Sequence, residues 1–185
     1  MKKVAFYTLG CKVNQYETEA MLEMFKKEGY TQVDSEDFAD VYVINTCTVT
    51  NMGDKKSRQI ISRARRTNPD AIIAAVGCYS QMAPKEVSEI PGVDVVLGTR
   101  NKGDVVYYVN KAKDEGQPQV HVQPVLQNKK FEDLKIEDYQ DKTRAFLKIQ
   151  DGCNRFCTYC TIPYARGSVC SKDPDKVLSE VRELA

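Results

Sequence analysis

Short apolar runs alternate with amphipathic stretches along the first two thirds of the chain. The nearly continuous apolar runs are typical of strands buried on both faces, and they lie at 3–9, 41–44, 71–76 and 94–97. The amphipathic stretches predict helices at 14–28, 53–67, 83–90 and 102–114. In the first of these helices, Ala20, Met21, Met24 and Phe25 fall on one face. This alternation predicts a doubly wound α/β domain, in which helices cover both faces of a parallel sheet.

The pattern changes after Gly116, where the chain turns polar and carries prolines and a charged stretch. Such composition predicts a connector, in which 119–125 is a candidate extended strand. The apolar run at 145–149 predicts a new strand, and Asp173-Pro174 predicts the start of a helix that runs to the last residue. We therefore expect a first domain at 1–118, a linker at 119–143 and the truncated start of a second domain at 144–185.

Composition, net charge and the length of the apolar runs limit the classes of protein to which this chain can belong. The 185 residues are 42% hydrophobic, and 27 basic against 26 acidic residues leave a formal charge of +1. With charges this evenly balanced, the whole chain has no strong electrostatic field that would require a nucleic-acid or membrane partner. A polyanion would therefore have to bind a local patch of positive charge. The sequence contains no apolar run of about twenty residues, and Tyr7 and Thr8 interrupt the only stretch that resembles a lipoprotein signal. We expect a soluble, cytoplasmic protein.

Three of the seven cysteines stand close together with C-x3-C-x2-C spacing: Cys153, Cys157 and Cys160, with Tyr159 just before the last. A four-iron cluster normally takes four thiolates, so three thiolates leave one iron open for another ligand. This spacing favours a catalytic iron–sulfur site. The alternatives are a zinc knuckle, which lacks a nearby fourth Cys or His, and a disulfide with an odd thiol.

A second set of thiols is separated in sequence but equivalent in position. Cys11, Cys47 and Cys78 each follow the carboxyl end of a predicted strand, and in an open parallel sheet those ends line one edge, where ligands bind. Gly10 and Gly77 precede two of them and allow a bulky group to approach the backbone. A single cysteine is more often a small buried hydrophobe, but three at equivalent places favour a second three-thiolate cluster. An odd number of cysteines arranged in this way fits thiolate ligands in a reducing compartment.

The motifs around these cysteines resemble the radical S-adenosylmethionine (SAM) methylthiotransferases along the whole chain. They are Gly10-Cys11-Lys12-Val13-Asn14-Gln15-Tyr16-Glu17, Asn45-Thr46-Cys47-Thr48-Val49-Thr50, Gly77-Cys78-Tyr79-Ser80-Gln81, and the triplet with Ile162-Pro163-Tyr164-Ala165-Arg166-Gly167. Residues 12–17 and 48–50 are most similar to the type that acts on threonylcarbamoyladenosine at position 37 of tRNA. The alternatives are the isopentenyladenosine and ribosomal-protein types, or a non-catalytic iron–sulfur fragment.

The resemblance implies two [4Fe–4S] clusters and SAM as cofactors. It implies that SAM binds the open iron of the triplet cluster and is cleaved there to a 5′-deoxyadenosyl radical, with Tyr159 against its adenine. The cluster on Cys11, Cys47 and Cys78 would carry the sulfur that is methylated and transferred. The implied partners are tRNA and an electron donor such as flavodoxin or ferredoxin. The resemblance also implies that 144–185 is the truncated start of a radical-SAM (β/α) partial barrel. Because this second domain is cut off, we expect this chain alone to be inactive.

Several residues have two interpretations that the sequence leaves open. Asn14, Glu17 and Asn45 either orient ligands of the strand-end thiols or serve as helix-cap and turn residues. A basic helix either meets tRNA phosphates or is a solvated face, through Lys55, Lys56, Arg58, Arg63, Arg65 and Arg66. Ser171-Lys172 stands where the family usually has Ser-Arg, which puts a bidentate guanidinium contact in doubt. Cys170 is interpreted as an ordinary thiol, and no role is assigned to His121.

Overall fold

A parallel six-stranded sheet forms the centre of the computed structural model, which describes residues 2–48, 51–136 and 145–184. Its strands are β1 (Lys2–Thr8), β2 (Tyr30–Gln32), β3 (Val41–Thr46), β4 (Ile72–Gly77), β5 (Val95–Leu97) and β6 (Gln119–His121). The connecting helices are α1 (Lys12–Lys27), α2 (Asn51–Thr67), α3 (Cys78–Met82), α4 (Pro84–Ser88) and α5 (Val105–Glu115). The spatial order is β2-β1-β3-β4-β5-β6, so β1, β3 and β4 are consecutive neighbours.

Apolar side chains fill a separate core on each face of the sheet. On one face, Met21 and Phe25 of α1 and Val109 of α5 pack with strand residues such as Val43 and Val95. The opposite core brings helix residues against the alternate positions of the strands, and includes Ile61, Ala64, Val87, Ile44, Ile73 and Val96. Successive side chains of a strand point to opposite faces, so strands that are apolar throughout supply both cores. The predicted doubly wound α/β fold is confirmed.

Three details of this domain differ from the prediction. Strand β2 was not predicted, because only Tyr30 of its three residues is buried and no apolar pattern marks it. The predicted helix at 83–90 is present as the shorter α4, whereas α3 before it was not predicted; the two are separated before Pro84, because proline has no N–H to continue a helix. The candidate strand at 119–125 is present as β6, which pairs with β5 and thereby adds the first residues of the predicted linker to the sheet.

The segment after the linker is built differently from the prediction. The predicted strand at 145–149 is wrong, since these residues form no strand. Instead β7 (Gln150–Asp151) pairs antiparallel with β8 (Cys170–Ser171), and α6 (Ile162–Arg166) lies between them in sequence. The predicted final helix is confirmed as α7 (Pro174–Leu184). A partial (β/α) barrel stays a prediction, as do the domain boundaries, and part of the predicted linker, 137–143, lies outside the described residues.

Among the helices of the described residues, none is both long enough and apolar enough to span a bilayer.

Candidate iron–sulfur centres

The three strand-end cysteines lie at one edge of the sheet, on neighbouring strands. Cys11 follows β1 as the N-cap of α1, Cys47 follows β3, and Cys78 begins α3 directly after β4. The strands end at the same level, because Thr8 pairs with Asn45 and Thr46 pairs with Gly77. Adjacent strands are about 4.8 Å apart. The sheet therefore brings together three thiols that are far apart in sequence.

Glycines let the thiols and the backbone pack closely at this edge. A Cβ on Gly10 would lie 2.9 Å from Sγ of Cys47, so this thiol rests against the residue that precedes Cys11. Gly77 adopts φ 99° and ψ −152°, a region that is essentially restricted to glycine. A Cβ there would lie 2.8 Å from the carbonyl oxygen of Thr46. Both glycines predicted to allow close approach are therefore in tight positions.

The electrostatics of this edge are dominated by burial and by two cations. Burial raises the pKa of the Cys78 thiol, whereas Arg166 and Lys102 lower it, and the nearby thiol of Cys47 raises it slightly. Cys11 is exposed and Cys47 is half-buried, and both thiols are free. The site thus combines a buried thiol, whose pKa is raised overall, with two more accessible thiols, and the positive charge partly opposes the effect of burial.

The soft thiols of the donor set fit the ligand chemistry of an iron–sulfur cluster. Within the described ranges, no three Cys, His, Asp or Glu side chains converge on a point that one ion would occupy. Such an ion would need its thiolates about 2.3 Å away. A cubane cluster instead receives each thiolate at a different iron, so its ligands need not converge. Three soft thiols on adjacent strand ends fit that arrangement.

The cysteine triplet lies in a loop between β7 and α6. The amide of Cys153 donates to the carbonyl of Gly167 at 3.0 Å, and the amide of Cys160 donates to the carbonyl of Cys157 at 2.9 Å. Cys157 is exposed, and the other two thiols of the triplet are half-buried. The side chain of Tyr159 is 89% exposed, so it packs in no core of the described chain. Its contact with SAM stays a prediction.

A buried network of charges connects the two groups of cysteines. Its centre is Glu17 of α1, which has no exposed surface and pairs with Lys102 at 2.9 Å and with Lys148 at 2.7 Å. Arg166 donates to the same carboxylate at 2.9 Å. Burial alone would raise the pKa of Glu17, but the three cations hold it well below its usual range. Glu17 is therefore ionised inside the protein.

Arg166 extends this network to the strand-end thiols. Its Nη2 donates to Oδ1 of Asn14 at 2.6 Å, and its Nη1 lies 3.2 Å from Oδ2 of Asp151. Asn14 in turn donates to the carbonyl of Leu9, just after β1, and to the carbonyl of Thr46, the last residue of β3. The Sγ of Cys11 lies 4.0 Å from Oδ1 of Asn14. The chain from Glu17 through Arg166 and Asn14 thus ends beside a candidate ligand.

The helix-cap interpretation of Asn14, Glu17 and Asn45 is wrong. The first two lie inside α1, whose N-cap is Cys11, and Asn45 lies inside β3. Asn45 donates to the carbonyl of Asn14 at 2.9 Å and to Oγ1 of Thr18 at 3.1 Å. These polar side chains fasten the start of α1 to β3 behind the thiols.

Sequence reasoning missed one element of the site, the buried polar run Thr99-Arg100-Asn101-Lys102 after β5. Oγ1 of Thr99 donates to the carbonyl of Ala165 at 2.7 Å, and Nη2 of Arg100 donates to the carbonyl of Arg166 at 2.6 Å. The run therefore holds the segment that follows the cysteine triplet. The signal was available, since the run follows a strand at the same carboxyl edge as the cysteines.

Half of the basic residues on α2 bind acidic groups of the protein itself. Arg58 pairs with Glu86, Arg63 with Glu36, and Arg65 with Asp94. The other three cations of the set are exposed, namely Lys55, Lys56 and Arg66. Arg58 and Arg63 are exposed as well, but they already pair with carboxylates of the protein, so the other three cations are the better candidates for a phosphate contact.

Intramolecular contacts are present at three remaining residues, namely Lys172, Cys170 and His121. Lys172, where the family usually has arginine, is buried and pairs with Glu180 and with Asp133. Cys170 is buried beside the guanidinium of Arg100. The ring of His121 stacks on Tyr108, with 4.0 Å between the ring centroids.

A family model described as "Uncharacterized protein family UPF0004" matches residues 3–98, which carry all three strand-end cysteines. The chain belongs to this family. It is 52% identical over 184 residues to the threonylcarbamoyladenosine tRNA methylthiotransferase MtaB of Bacillus subtilis, a match that covers 100% of this chain and 41% of that protein. The MtaB of Aquifex aeolicus is 45% identical, with 99% and 45% covered.

A more distant relative carries a different name. The tRNA-2-methylthio-N(6)-dimethylallyladenosine synthase of Clostridium botulinum is 34% identical, with 96% of this chain and 40% of that protein covered. The chain thus spans about two fifths of the length of these curated relatives. The resemblance stated from the cysteine motifs is confirmed, for the amino-terminal part of such enzymes.

Proposed function

We propose that the protein carrying this chain converts N6-threonylcarbamoyladenosine at tRNA position 37 into its 2-methylthio derivative. The observation that carries this proposal is the three-strand arrangement of Cys11, Cys47 and Cys78, in a chain that is 52% identical to a protein named for this activity. The relative named for dimethylallyladenosine is 34% identical. The difference in identity favours the threonylcarbamoyl substrate.

Two sets of residues would hold the cofactors. Cys153, Cys157 and Cys160 would hold the cluster that binds SAM, and Cys11, Cys47 and Cys78 would hold the second [4Fe–4S] cluster. When bound, these groups supply an electron for the reductive cleavage of SAM and a site for the sulfur that is transferred.

The chain's own residues shape these two sites. Gly10 and Gly77 bring the backbone close to the thiols of the strand-end site, and Gly167 anchors the first cysteine of the triplet loop. The 89% exposed ring of Tyr159 is available to pack against the adenine of SAM. Arg166 and Lys102 place positive charge near Cys78, which offsets part of the effect of burial that raises the pKa of this thiol.

The proposed partners follow from this chemistry. The exposed cations Lys55, Lys56 and Arg66 are the candidates for contact with tRNA phosphates. An electron donor such as flavodoxin or ferredoxin would reduce the triplet cluster. With tRNA and such a donor as partners, the protein would act in the cytoplasm. Catalysis requires the rest of the protein, so the chain of 185 residues alone is proposed to be inactive.

Nucleoside analysis tests the substrate. In cells that lack the gene carrying this sequence, 2-methylthio-threonylcarbamoyladenosine should disappear from tRNA and its precursor should accumulate. Expression of the intact gene should restore the product. Loss of the dimethylallyl product, or of a modified ribosomal protein, would instead assign the protein to a sister type and refute the proposed substrate.

A further inference from the structure

Glu17 joins three parts of the chain that are distant in sequence. Lys102 follows β5 at the edge of the sheet, Lys148 lies before the cysteine triplet, and Arg166 lies after it. All three cations meet one carboxylate, and none of the four side chains is more than 5% exposed. Burying an ion is costly unless its partners are well placed, so such a junction tolerates little displacement.

The position of Glu17 on α1 connects the ion junction to the strand-end thiols. The same helix begins at Cys11, one of the strand-end thiols. The two cations Lys148 and Arg166 flank the loop that carries the triplet. A rigid helix therefore holds a candidate ligand of one site at its start, and both ends of the other site one to two turns later.

Asp151 provides a second carboxylate for the two cations that flank the triplet. Its carboxylate lies 2.7 Å from Nζ of Lys148 and 3.2 Å from Nη1 of Arg166. These two cations are thereby fixed between Glu17 of the first domain and Asp151 of their own segment. The backbone of Arg166 is held separately, because its carbonyl accepts from Arg100 at 2.6 Å.

We propose that Glu17 is a positioning residue that sets the separation between the strand-end thiols and the cysteine triplet, through its ion pairs with Lys148 and Arg166. This inference rests on the proposed function, in which sulfur must pass from one site to a carbon activated at the other. Displacing reacting groups by about 1 Å costs on the order of 100-fold in rate. An ion junction between the two sites is a means of preventing such a displacement.

The test compares Glu17→Gln with wild type in the intact, anaerobically reconstituted protein. Glutamine keeps the shape of the side chain but removes the charge that holds the three cations. Both clusters should load, and SAM should still be cleaved reductively, while formation of the methylthio product falls about 100-fold. The magnetic coupling between the two reduced clusters, which depends on their distance, should change in the electron paramagnetic resonance spectrum.

Two further variants provide the controls. Glu28→Gln removes a carboxylate from the exposed residue that ends the same helix, and should leave coupling and product unchanged. Glu17→Asp retains the charge on a shorter side chain and should recover part of both signals. If Glu17→Gln does not fold, Arg166→Lys replaces it, since lysine keeps the charge but cannot bridge Asn14, Glu17 and Asp151 together.

The outcomes separate this inference from the proposed function. Absence of product from the wild-type protein on any modified adenosine would refute the function. Product from wild type, together with unchanged cluster coupling and unchanged product in a folded Glu17→Gln or Arg166→Lys variant, would refute the positioning role. Equal loss of SAM cleavage and product would also refute it, because a positioning residue between the sites acts only on the joint step.

Discussion

Replacing Gly77 by alanine should destabilise the sheet edge that carries the cysteines. Gly77 ends β4 with φ 99° and ψ −152°, directly before Cys78. An added Cβ would lie 2.7 Å from Oδ1 of Asn45 and 2.8 Å from the carbonyl oxygen of Thr46. Both residues belong to the neighbouring strand β3, and the second atom is part of its backbone, which can move only if the sheet deforms.

The magnitude follows from two costs. Holding a residue other than glycine in this backbone region costs about 1–3 kcal/mol. Forcing extra volume into a packed site costs about 1–3 kcal/mol more. We therefore expect Gly77→Ala to lower the free energy of unfolding by about 2–6 kcal/mol, which at a denaturant slope of about 2 kcal/mol/M moves the urea midpoint by about 1–3 M.

The matched control is Gly29→Ala, measured by circular dichroism in urea under the same conditions. Gly29 also has a positive φ of 79°, but an added Cβ there would have no heavy atom within 4 Å. Only the conformational cost of about 1–2 kcal/mol applies, so its midpoint should move by about 0.5–1 M, roughly a third to a half as much. Equal shifts in the two variants would refute the reasoning, because they would show that the contacts at Asn45 and Thr46 add nothing.

Three further predictions concern the cysteines, the ion junction and α2. Intact reconstituted protein should bind about eight irons per chain, and replacing either set of three thiols by alanine should leave about four. Reductive SAM cleavage should survive only in the variant that lacks Cys11, Cys47 and Cys78. Cleavage by a variant that lacks the triplet would contradict the assignment of the triplet. The lowered pKa of Glu17 contributes stability that is complete above pH 4.5, the ordinary pKa of a glutamate, and is lost as the pH falls through the pKa of Glu17 in the folded protein. In a plot of the urea midpoint against pH, Glu17→Gln should therefore flatten the decline at acid pH. An unchanged decline would argue against the ion junction. Arg65→Lys should cost about 1.5–3 kcal/mol in urea unfolding, because Arg65 donates to the carbonyl of Gly92 and to Asp94, both at 2.7 Å, and a cost no larger than that of the exposed Arg66→Lys would contradict this.

The parts of the fold that the sequence predicted are those with a repeated apolar pattern. Strand β3 contains the run Val41–Ile44, in which every side chain is buried, and its assignment required no knowledge of its neighbours. Strand β2 contains one buried residue, and its pairing with β1 depends on the tertiary fold. The apolar run at 145–149 was misassigned because Lys148, in its middle, is held by buried carboxylates rather than by a strand partner.

The candidate site was predictable to a similar degree. Cysteines after consecutive strands could be placed on one edge, because parallel strands share a direction. The junction at Glu17 could not be predicted, since its partners Lys148 and Arg166 are 131 and 149 positions away. A single sequence shows a charged residue inside a helix, but it does not show which distant cations neutralise that charge.

The short outer strands of the sheet affect how the protein behaves in a crowded solution. Both β2 and β6 have three residues, so each rim exposes only about 10 Å of unpaired backbone to another molecule. Long, flat rims are templates on which further chains add as strands and begin aggregates. Because its longest strands lie in the interior of the sheet, this domain exposes little edge on which another chain could add as a strand. It can therefore hold reactive thiols at one end of the sheet without promoting self-association at the edges of the sheet.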